Sequence, residues 1–205
     1  MALSPPADQA NMRHQQQMAR KKAVVDASIA RATEKRGIIV LNTGNGKGKS
    51  TAAFGMVART LGYGLKVGVV QFIKSRRDTG EEKFFGAQPN VQWLVMGDGF
   101  TWDTQNREAD IATAQRAWAA AQVFLRDATL HLVVLDELTY LLKDGYLDEQ
   151  QVCADLAARP PMQHVVITGR AAPQSLVDIA DTVSEIRDVK HAFRAGVGAQ
   201  PGIDL

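Results

Sequence analysis

The sequence Thr-Gly-Asn-Gly-Lys-Gly-Lys-Ser-Thr occupies residues 43–51 and decides the fold. Residues 37–42 before it form a short apolar run rich in β-branched side chains, which predicts a buried strand. Residues 52–61 after it are rich in alanine and carry apolar side chains at helical spacing. A strand, a glycine-rich turn and a helix in this order are typical of a phosphate-binding loop.

The residue types within this loop suit a triphosphate. Glycines let successive backbone N–H groups turn toward one anion, the helix N-terminus adds its positive dipole end, and Lys49 supplies a mobile charge. The loop departs from the usual pattern because Thr43 stands where the first glycine is expected. The alternative, a flexible surface turn, is disfavoured by the flanking strand and helix. The predicted nucleotide-binding residues are Thr43, Gly44, Asn45, Gly46, Lys47, Gly48, Lys49, Ser50 and Thr51.

A second signature lies in residues 132–137, where four apolar residues end in Asp136 and Glu137. An acidic residue at the end of a core strand is how many nucleotide sites reach their metal ion. A carboxylate is common after strands, so it indicates a metal site only in a chain that also has a phosphate loop. We expect Ser50, Asp136 and Glu137 to hold Mg²⁺, and Mn²⁺ would suit the same oxygen donors.

The rest of the chain alternates strand and helix patterns. Further strands are predicted at 66–73, 91–96, 164–168 and 182–186, with helices at 81–85, 104–128, 148–159 and 173–180. Thr104 is the predicted N-cap of the longest helix. Alternation of this kind predicts an α/β fold in three layers, with a mostly parallel sheet, helices on both faces and a phosphate-loop NTPase-like core. Residues 37–205 are expected to form one such domain.

Residues 1–36 are expected to form a separate basic arm. They carry seven Lys or Arg and three Asp or Glu, whereas the whole chain has a net charge of only +2. The first ten residues are predicted to be disordered, and residues 11–34 to form a helix with a thin apolar stripe that docks elsewhere. A basic arm could contact an acidic ligand or nucleic acid, although a solvated helix is the simpler interpretation.

Composition excludes several classes of protein. Cys153 is the single cysteine, so no intramolecular disulfide and no cysteine metal cluster can form. No apolar stretch is long enough for a membrane span, and the N-terminus lacks the apolar core of a signal peptide. We therefore expect a soluble cytoplasmic protein that does not act on a membrane.

From these residues alone, the function is that of an ATP- or GTP-binding enzyme with magnesium. The Asn-Lys-x-Asp motif typical of small GTPases is absent, which favours ATP. Nothing in the spacing of the residues indicates which atom of the nucleotide is attacked.

Six stretches together resemble the bacterial ATP:corrinoid adenosyltransferases. The aromatic loop at 99–105 and the Asp-Glu-Leu-Thr-Tyr run at 136–140 are more specific than the phosphate loop itself. The resemblance extends from about residue 35 to residue 205. The stretches are 43–50, 67–74, 99–105, 133–140, 167–170 and 189–193.

This resemblance implies an unusual reaction for a phosphate-loop protein. In the family, a Co(I) corrinoid attacks the 5′ carbon of ATP, the adenosyl group passes to cobalt, and tripolyphosphate departs. Members of the family hold ATP turned end for end, with its terminal phosphate deep in the loop. The resemblance thus implies an alkyltransferase of adenosylcobalamin biosynthesis or salvage.

The resemblance also assigns roles to particular residues. Lys49, Phe100 and Trp102 match catalytic positions, the two aromatic residues lying beside the corrinoid. Arg59 matches an arginine that contacts ATP, and the N-terminal helix matches one that folds over the corrinoid site. We further expect a homodimer, an electron donor such as reduced flavodoxin or flavin, and no nucleic-acid partner.

Two other functions stay open at this stage. One is a phosphate-loop ATPase or small-molecule kinase, for which Arg76, Arg77 and Arg170 on strand-end loops could serve. The other is a nucleotide-dependent nucleic-acid-binding module, which normally needs aromatic stacking platforms that residues 1–36 lack. Phe100 and Trp102 could be loop anchors in the core, and His191 a packed or surface histidine.

Overall fold

The computed structural model describes residues 7–73, 79–97 and 106–203. The chain divides into two compact units, Met1–Lys35 and Arg36–Leu205. The first unit contains the helix α1 (Ala7–Arg31), in which apolar side chains such as Val24 and Ile29 are about two-thirds exposed. Because α1 begins at Ala7, residues 7–10 are helical, and the expectation of disorder is wrong for them.

The second unit alternates strands and helices along the chain. Its strands are β1 (Ile39–Thr43), β2 (Val67–Gln71), β3 (Val91–Val95), β4 (Leu132–Asp136), β5 (His164–Thr168) and β6 (Thr182–Glu185). Its helices are α2 (Lys49–Gly62), α3 (Gly80–Phe85), α4 (Arg107–Arg126), α5 (Leu138–Lys143), α6 (Glu149–Ala157) and α7 (Gln174–Ile179), followed by a 3₁₀ turn, Ala192–Ala195.

These six strands form one sheet in the order β3-β2-β4-β5-β1-β6, and every neighbouring pair is parallel. The carboxyl ends of all six strands therefore lie at one edge of the sheet. β5 separates the strand that leads into the phosphate loop from the strand that ends at Asp136. The predicted α/β fold with a parallel sheet is confirmed.

Alternating side chains of the strands build a core on each face of the sheet. On one face, Ile39 and Leu41 pack with buried residues of α4, α5, α6 and α7. On the other, Val40 packs with buried residues of α2 and α3, and the ring centroids of Phe54 in α2 and Trp93 in β3 are 5.4 Å apart. Because helices cover both faces of the parallel sheet, the three-layer prediction is also confirmed.

A predicted helix cap was wrong, and one short helix was not predicted. The helix α4 begins at Arg107 and is capped by Asn106, whose side chain accepts a hydrogen bond from the Ala109 N–H at 3.2 Å, so Thr104 is not the N-cap. The short helix α5 was not predicted, because it starts directly after the strand that ends in Asp136.

No helix among the described residues has the length and apolar character needed to cross a bilayer.

Candidate active site

The phosphate loop, residues 44–48, joins β1 to the N-terminus of α2. Gly44 and Gly48 have φ angles of +95° and +117°, a left-handed conformation that side chains disfavour. The loop also packs tightly against the backbone that follows β6. The Gly46 N–H donates to the Ile186 carbonyl at 2.7 Å, and a Cβ on Gly46 would lie 2.5 Å from the Arg187 carbonyl oxygen. Glycine is thus required here by conformation and by close approach.

Thr43 explains the departure from the usual motif. Its hydroxyl accepts a hydrogen bond from the Ala172 N–H at 3.3 Å. A glycine at this position could not make that bond. The side chain therefore connects the start of the phosphate loop to the turn that follows β5.

Lys49 is the first residue of α2 and points into the site from a buried position. Its side chain is 6% exposed, and its Nζ donates to the Gly46 carbonyl at 2.7 Å. Burial lowers the pKa of Lys49 from its ordinary value, while the negative charges of Glu137 and Asp136 act in the opposite direction. A buried ammonium that holds the loop's own backbone is ready to exchange that carbonyl for a phosphate oxygen.

Asp136 lies at the end of β4 and is fully buried. Its carboxylate accepts hydrogen bonds from Gln71 Nε2 at 3.0 Å and from Thr168 Oγ1 at 2.8 Å. Gln71 in turn accepts from Trp93 Nε1 at 3.3 Å. This network holds Asp136 within the sheet edge, behind the cavity described next.

Glu137 is placed differently from its neighbour. Its φ angle of +65° turns the chain sharply, and its N–H donates to Thr168 Oγ1 at 2.9 Å. The turn directs Glu137 into the cavity beside the phosphate loop, whereas Asp136 does not line that cavity. Among the two predicted carboxylate ligands, the structure therefore brings only Glu137 to the cavity surface.

The cavity has a volume of about 260 Å³ and a mostly polar wall. It joins the phosphate loop and the start of α2 to residues of α3, of the β4–α5 segment, of the turn after β5 and of the chain after β6. Lys49 and Ser50 lie in its wall together with Glu137, which brings a cation, a hydroxyl and a carboxylate to one space. Its lining residues are Asn45, Gly46, Lys47, Gly48, Lys49, Ser50, Thr51, Glu81, Glu137, Tyr140, Arg170, His191 and Ile203.

Sequence reasoning missed part of this wall. Tyr140 lies in the run quoted for the family resemblance but received no role; burial and the charge of Glu137 raise its pKa. Arg170 was considered only for a rival function, and Glu81 and Ile203 carried no signal. His191 does line the cavity, and its Nδ1 accepts from the Phe193 N–H at 3.2 Å.

Other predicted site residues are not in this cavity. Arg59 lies in the last turn of α2 and is exposed. Ten residues of helix place it about 15 Å along the axis from Lys49, so the structure does not bring it to the phosphate loop. Phe100 and Trp102, as well as Arg76 and Arg77, lie outside the described residues.

A divalent cation fits the oxygen donors of this wall. Mg²⁺ usually takes one or two protein oxygens and completes its shell with phosphate oxygens and water. Ser50 and Glu137 supply a hydroxyl and a carboxylate of this kind. Among the described residues, no group of three or more His, Cys, Asp and Glu side chains could hold a metal by itself.

Comparison with known proteins agrees with this geometry. Residues 35–205 match the family described as ATP:corrinoid adenosyltransferase BtuR/CobO/CobP, and residues 1–29 match the one described as cob(I)alamin adenosyltransferase N terminal. A corrinoid adenosyltransferase of Pseudomonas aeruginosa is 56% identical over the full length of both chains. Those of Escherichia coli K12 and Salmonella typhimurium are 52% and 53% identical, over 94% of this chain and 97% of each relative.

Among solved structures, domain III of the Thermotoga maritima replication initiation protein DnaA aligns with 91% of this chain and 64% of its own. Its TM-score is 0.39 at 10% identity, so this likeness bears on neither fold nor function. The family model, in contrast, matches residues 35–205, and the curated relatives are 52–56% identical to this chain. The chain belongs to the ATP:corrinoid adenosyltransferase family.

Proposed function

We propose that this chain transfers the 5′-deoxyadenosyl group of ATP to the cobalt of a Co(I) corrinoid and releases tripolyphosphate. One observation carries the proposal: Lys49, Ser50, Glu137 and Arg170 line one cavity within residues 35–205, the part of the chain that matches the family. Cobalt supplies the electron pair that bonds to the 5′ carbon. The bond from that carbon to its ester oxygen breaks, and the oxygen leaves with the phosphates.

The leaving group determines what the protein must supply. Tripolyphosphate gains one negative charge as the ester bond breaks, so the transition state is stabilised by cations at the phosphates. Lys49 and Arg170 provide two such cations, and the N–H groups of the loop and of α2 provide neutral donors. With the terminal phosphate deepest in the loop, the 5′ carbon would face the open side of the cavity, where a large corrinoid can approach.

Magnesium belongs to the same proposal. Ser50 and Glu137 would hold it, and when bound it would add positive charge to the phosphate chain. Asp136 would act behind Glu137, because its hydrogen bonds to Gln71 and Thr168 fix the end of β4. Arg59 would contact ATP only through a part of the nucleotide far from the phosphate loop.

Phe100 and Trp102 remain the proposed aromatic residues beside the corrinoid. They follow β3, whose end at Val95 lies at the same edge of the sheet as the phosphate loop. An apolar ring that displaces the lower axial ligand of Co(II) would ease its reduction. Trp102→Ala should therefore slow adenosylation driven by reduced flavodoxin much more than adenosylation driven by a strong chemical reductant. Equal losses in both assays would contradict this role.

The proposal includes an electron donor, a cytoplasmic location and a homodimer. A flavodoxin or flavin would deliver the electron, and the reaction would take place in the cytoplasm, where ATP is available. A homodimer is proposed because exposed apolar side chains on α1, such as Val24 and Ile29, leave surface for a second copy. Sedimentation velocity would test the dimer, and salt-dependent binding of DNA or RNA would argue against our exclusion of nucleic acid.

The decisive experiment identifies the phosphate product. ATP is mixed with a chemically reduced corrinoid, Mg²⁺ and the protein, and the products are separated by anion exchange. We expect tripolyphosphate in equal amount to the adenosylated corrinoid. Formation of ADP and inorganic phosphate instead would identify an ATPase, and ADP with a phosphorylated acceptor would identify a kinase. Either result would overturn the proposal.

A further inference from the structure

The turn after β5 connects two parts of the candidate active site. Residues 169–172 follow directly on Thr168, whose hydroxyl contacts Asp136 and the N–H of Glu137. The same turn carries Arg170, whose side chain lines the phosphate cavity. How this turn is held therefore decides where the guanidinium lies relative to the phosphates.

Thr139 holds the turn from one side. It lies in α5, two residues after Glu137, and is fully buried. Its hydroxyl donates a hydrogen bond to the Arg170 carbonyl at 2.7 Å. Gly169 packs directly on this threonine with a φ angle of +138°, and a Cβ on Gly169 would overlap the Thr139 hydroxyl. The backbone before Arg170 is thus fitted to Thr139 as closely as a glycine allows.

Thr43 holds the turn from the other side. Its hydroxyl accepts a hydrogen bond from the Ala172 N–H. Ala171, which lies between Arg170 and Ala172, has a φ angle of +50°, which is rare for a residue with a side chain. Backbone of this kind persists only where its surroundings impose it, and it is concentrated at functional sites. Two threonines, one from the carboxylate segment and one from the phosphate loop, therefore fix the backbone of a single arginine.

We propose that Thr139 is a positioning residue that sets Arg170 against the departing triphosphate. The inference rests on the proposed function, because it needs a leaving group that gains charge in this cavity. A guanidinium fits phosphate oxygens in a fork geometry, so its contribution depends on where its backbone starts. A displacement of about 1 Å at a reacting site can cost up to about a hundredfold in rate.

The first test compares three variants of Thr139. Thr139→Val keeps the shape of the side chain and removes the hydroxyl, whereas Thr139→Ser keeps the hydroxyl. Thr139→Ala also removes the hydroxyl and replaces the valine variant if that variant does not fold. We expect about a tenfold loss of kcat/KM for ATP with valine or alanine, and less than about a threefold loss with serine. Inhibition by added tripolyphosphate should weaken in parallel, which a purely structural role would not cause.

A matched control lies outside the site. Thr60→Val also removes a hydroxyl that donates to a backbone carbonyl, here that of Met56 at 2.9 Å within α2. It should leave kcat/KM and tripolyphosphate inhibition unchanged. If Thr139→Val and Thr139→Ala both keep the parent's kcat/KM, or if serine loses as much as alanine, the inference is wrong.

The second test is a double-mutant cycle with Arg170→Ala. If Thr139 acts through Arg170, Thr139→Val should change kcat/KM by less than about twofold once the guanidinium is gone. A full tenfold loss in the Arg170→Ala background would overturn the inference. An Arg170→Ala variant with the parent's activity would also overturn it, but release of tripolyphosphate would still support adenosyl transfer.

Discussion

The two edges of the sheet use polar groups in different ways. At the amino-terminal edge, the charged groups are satisfied by the fold itself. The Asp181 carboxylate accepts from the Arg36 guanidinium and from the Ile39 N–H at 2.8 Å. Arg159 donates to three backbone carbonyls, those of Leu156, Gln163 and Gly37, at 2.7 to 3.0 Å.

At the carboxyl edge, Lys49, Glu137 and Arg170 instead line a cavity large enough for phosphates. Parallel α/β sheets bind their ligands at the carboxyl ends of their strands, which is the edge where this cavity lies. At the amino-terminal edge the charged side chains are held only by groups of the fold, whereas Lys49, Glu137 and Arg170 also border a cavity. Substitutions of residues that line the cavity should therefore cost mainly activity, and substitutions at the amino-terminal edge mainly stability.

The largest expected effect is that of Lys49→Ala. Loss of one preorganised donor typically costs 10²- to 10³-fold in rate, and we expect a loss in this range for adenosyl transfer. The melting temperature should fall little, because burial already opposes the charge of Lys49. Steady-state kinetics and thermal denaturation of the same preparation measure both. Activity within tenfold of the parent would remove Lys49 from the mechanism.

Glu137→Gln should come next. It keeps the shape of the side chain and removes its charge, so we expect a loss of about 10- to 100-fold and a higher Mg²⁺ concentration for half-maximal activity. Asp136→Asn serves as the comparison, because that carboxylate accepts from Gln71 and Thr168 inside the sheet edge. It should lower stability more than Glu137→Gln does. An unchanged Mg²⁺ dependence in Glu137→Gln would contradict the assigned metal role.

Arg159→Leu tests the other edge. It removes three hydrogen bonds to backbone carbonyls, although the Gly37 carbonyl still accepts from Arg36 at 3.4 Å. We therefore expect a loss of about 2–4 kcal/mol in the free energy of unfolding. Urea denaturation at constant pH measures this loss, with Arg159→Lys as the variant that keeps the charge. The activity of the folded fraction should stay within about twofold of the parent. A large loss of turnover without loss of stability would break the comparison.

Asp181→Asn should have the smallest effect, up to about 1 kcal/mol at neutral pH, because this pair is partly exposed. Its hydrogen bonds from Arg36 and Ile39 lower the pKa of Asp181 below its ordinary value of 3.8. The contribution of Asp181 to stability is thus complete above this value and is lost as pH falls through the lower pKa of the folded state. Urea midpoints from pH 6 to pH 2 should fall less steeply in the variant. Parallel curves would show that Asp181 contributes nothing.

The parts of the fold that were predicted depend on local patterns. The apolar strands and the Gly-rich loop at 44–48 are visible because strand periodicity and glycine placement lie within a few consecutive residues. The cap of α4 was missed because Thr104 and Asn106 are both good capping residues, and no local pattern decides between them. The helix α5 was missed because the left-handed turn at Glu137 has no sequence signal.

The candidate site was predicted where it is contiguous in sequence. Lys49, Ser50 and Glu137 belong to recognisable motifs, and they do line one cavity. Arg170 and His191 reach the same cavity only because β5 and β6 flank β1, which no local pattern reveals. The separate position of Asp136 depends on Gln71, 65 residues earlier in the chain.

The phosphate loop depends on contacts with a part of the chain that is synthesised after it. The Ile186 N–H donates to the Thr43 carbonyl at 2.8 Å and its carbonyl accepts from Gly46, so the loop rests on chain made about 140 residues later. His191 and Ile203, which follow β6 in the chain, also lie in the cavity wall. A nascent chain on the ribosome would therefore carry the entire motif long before it could hold a nucleotide. ATP binding should therefore appear only after β6 has joined the sheet, and a chain that ends before β6 should lack it.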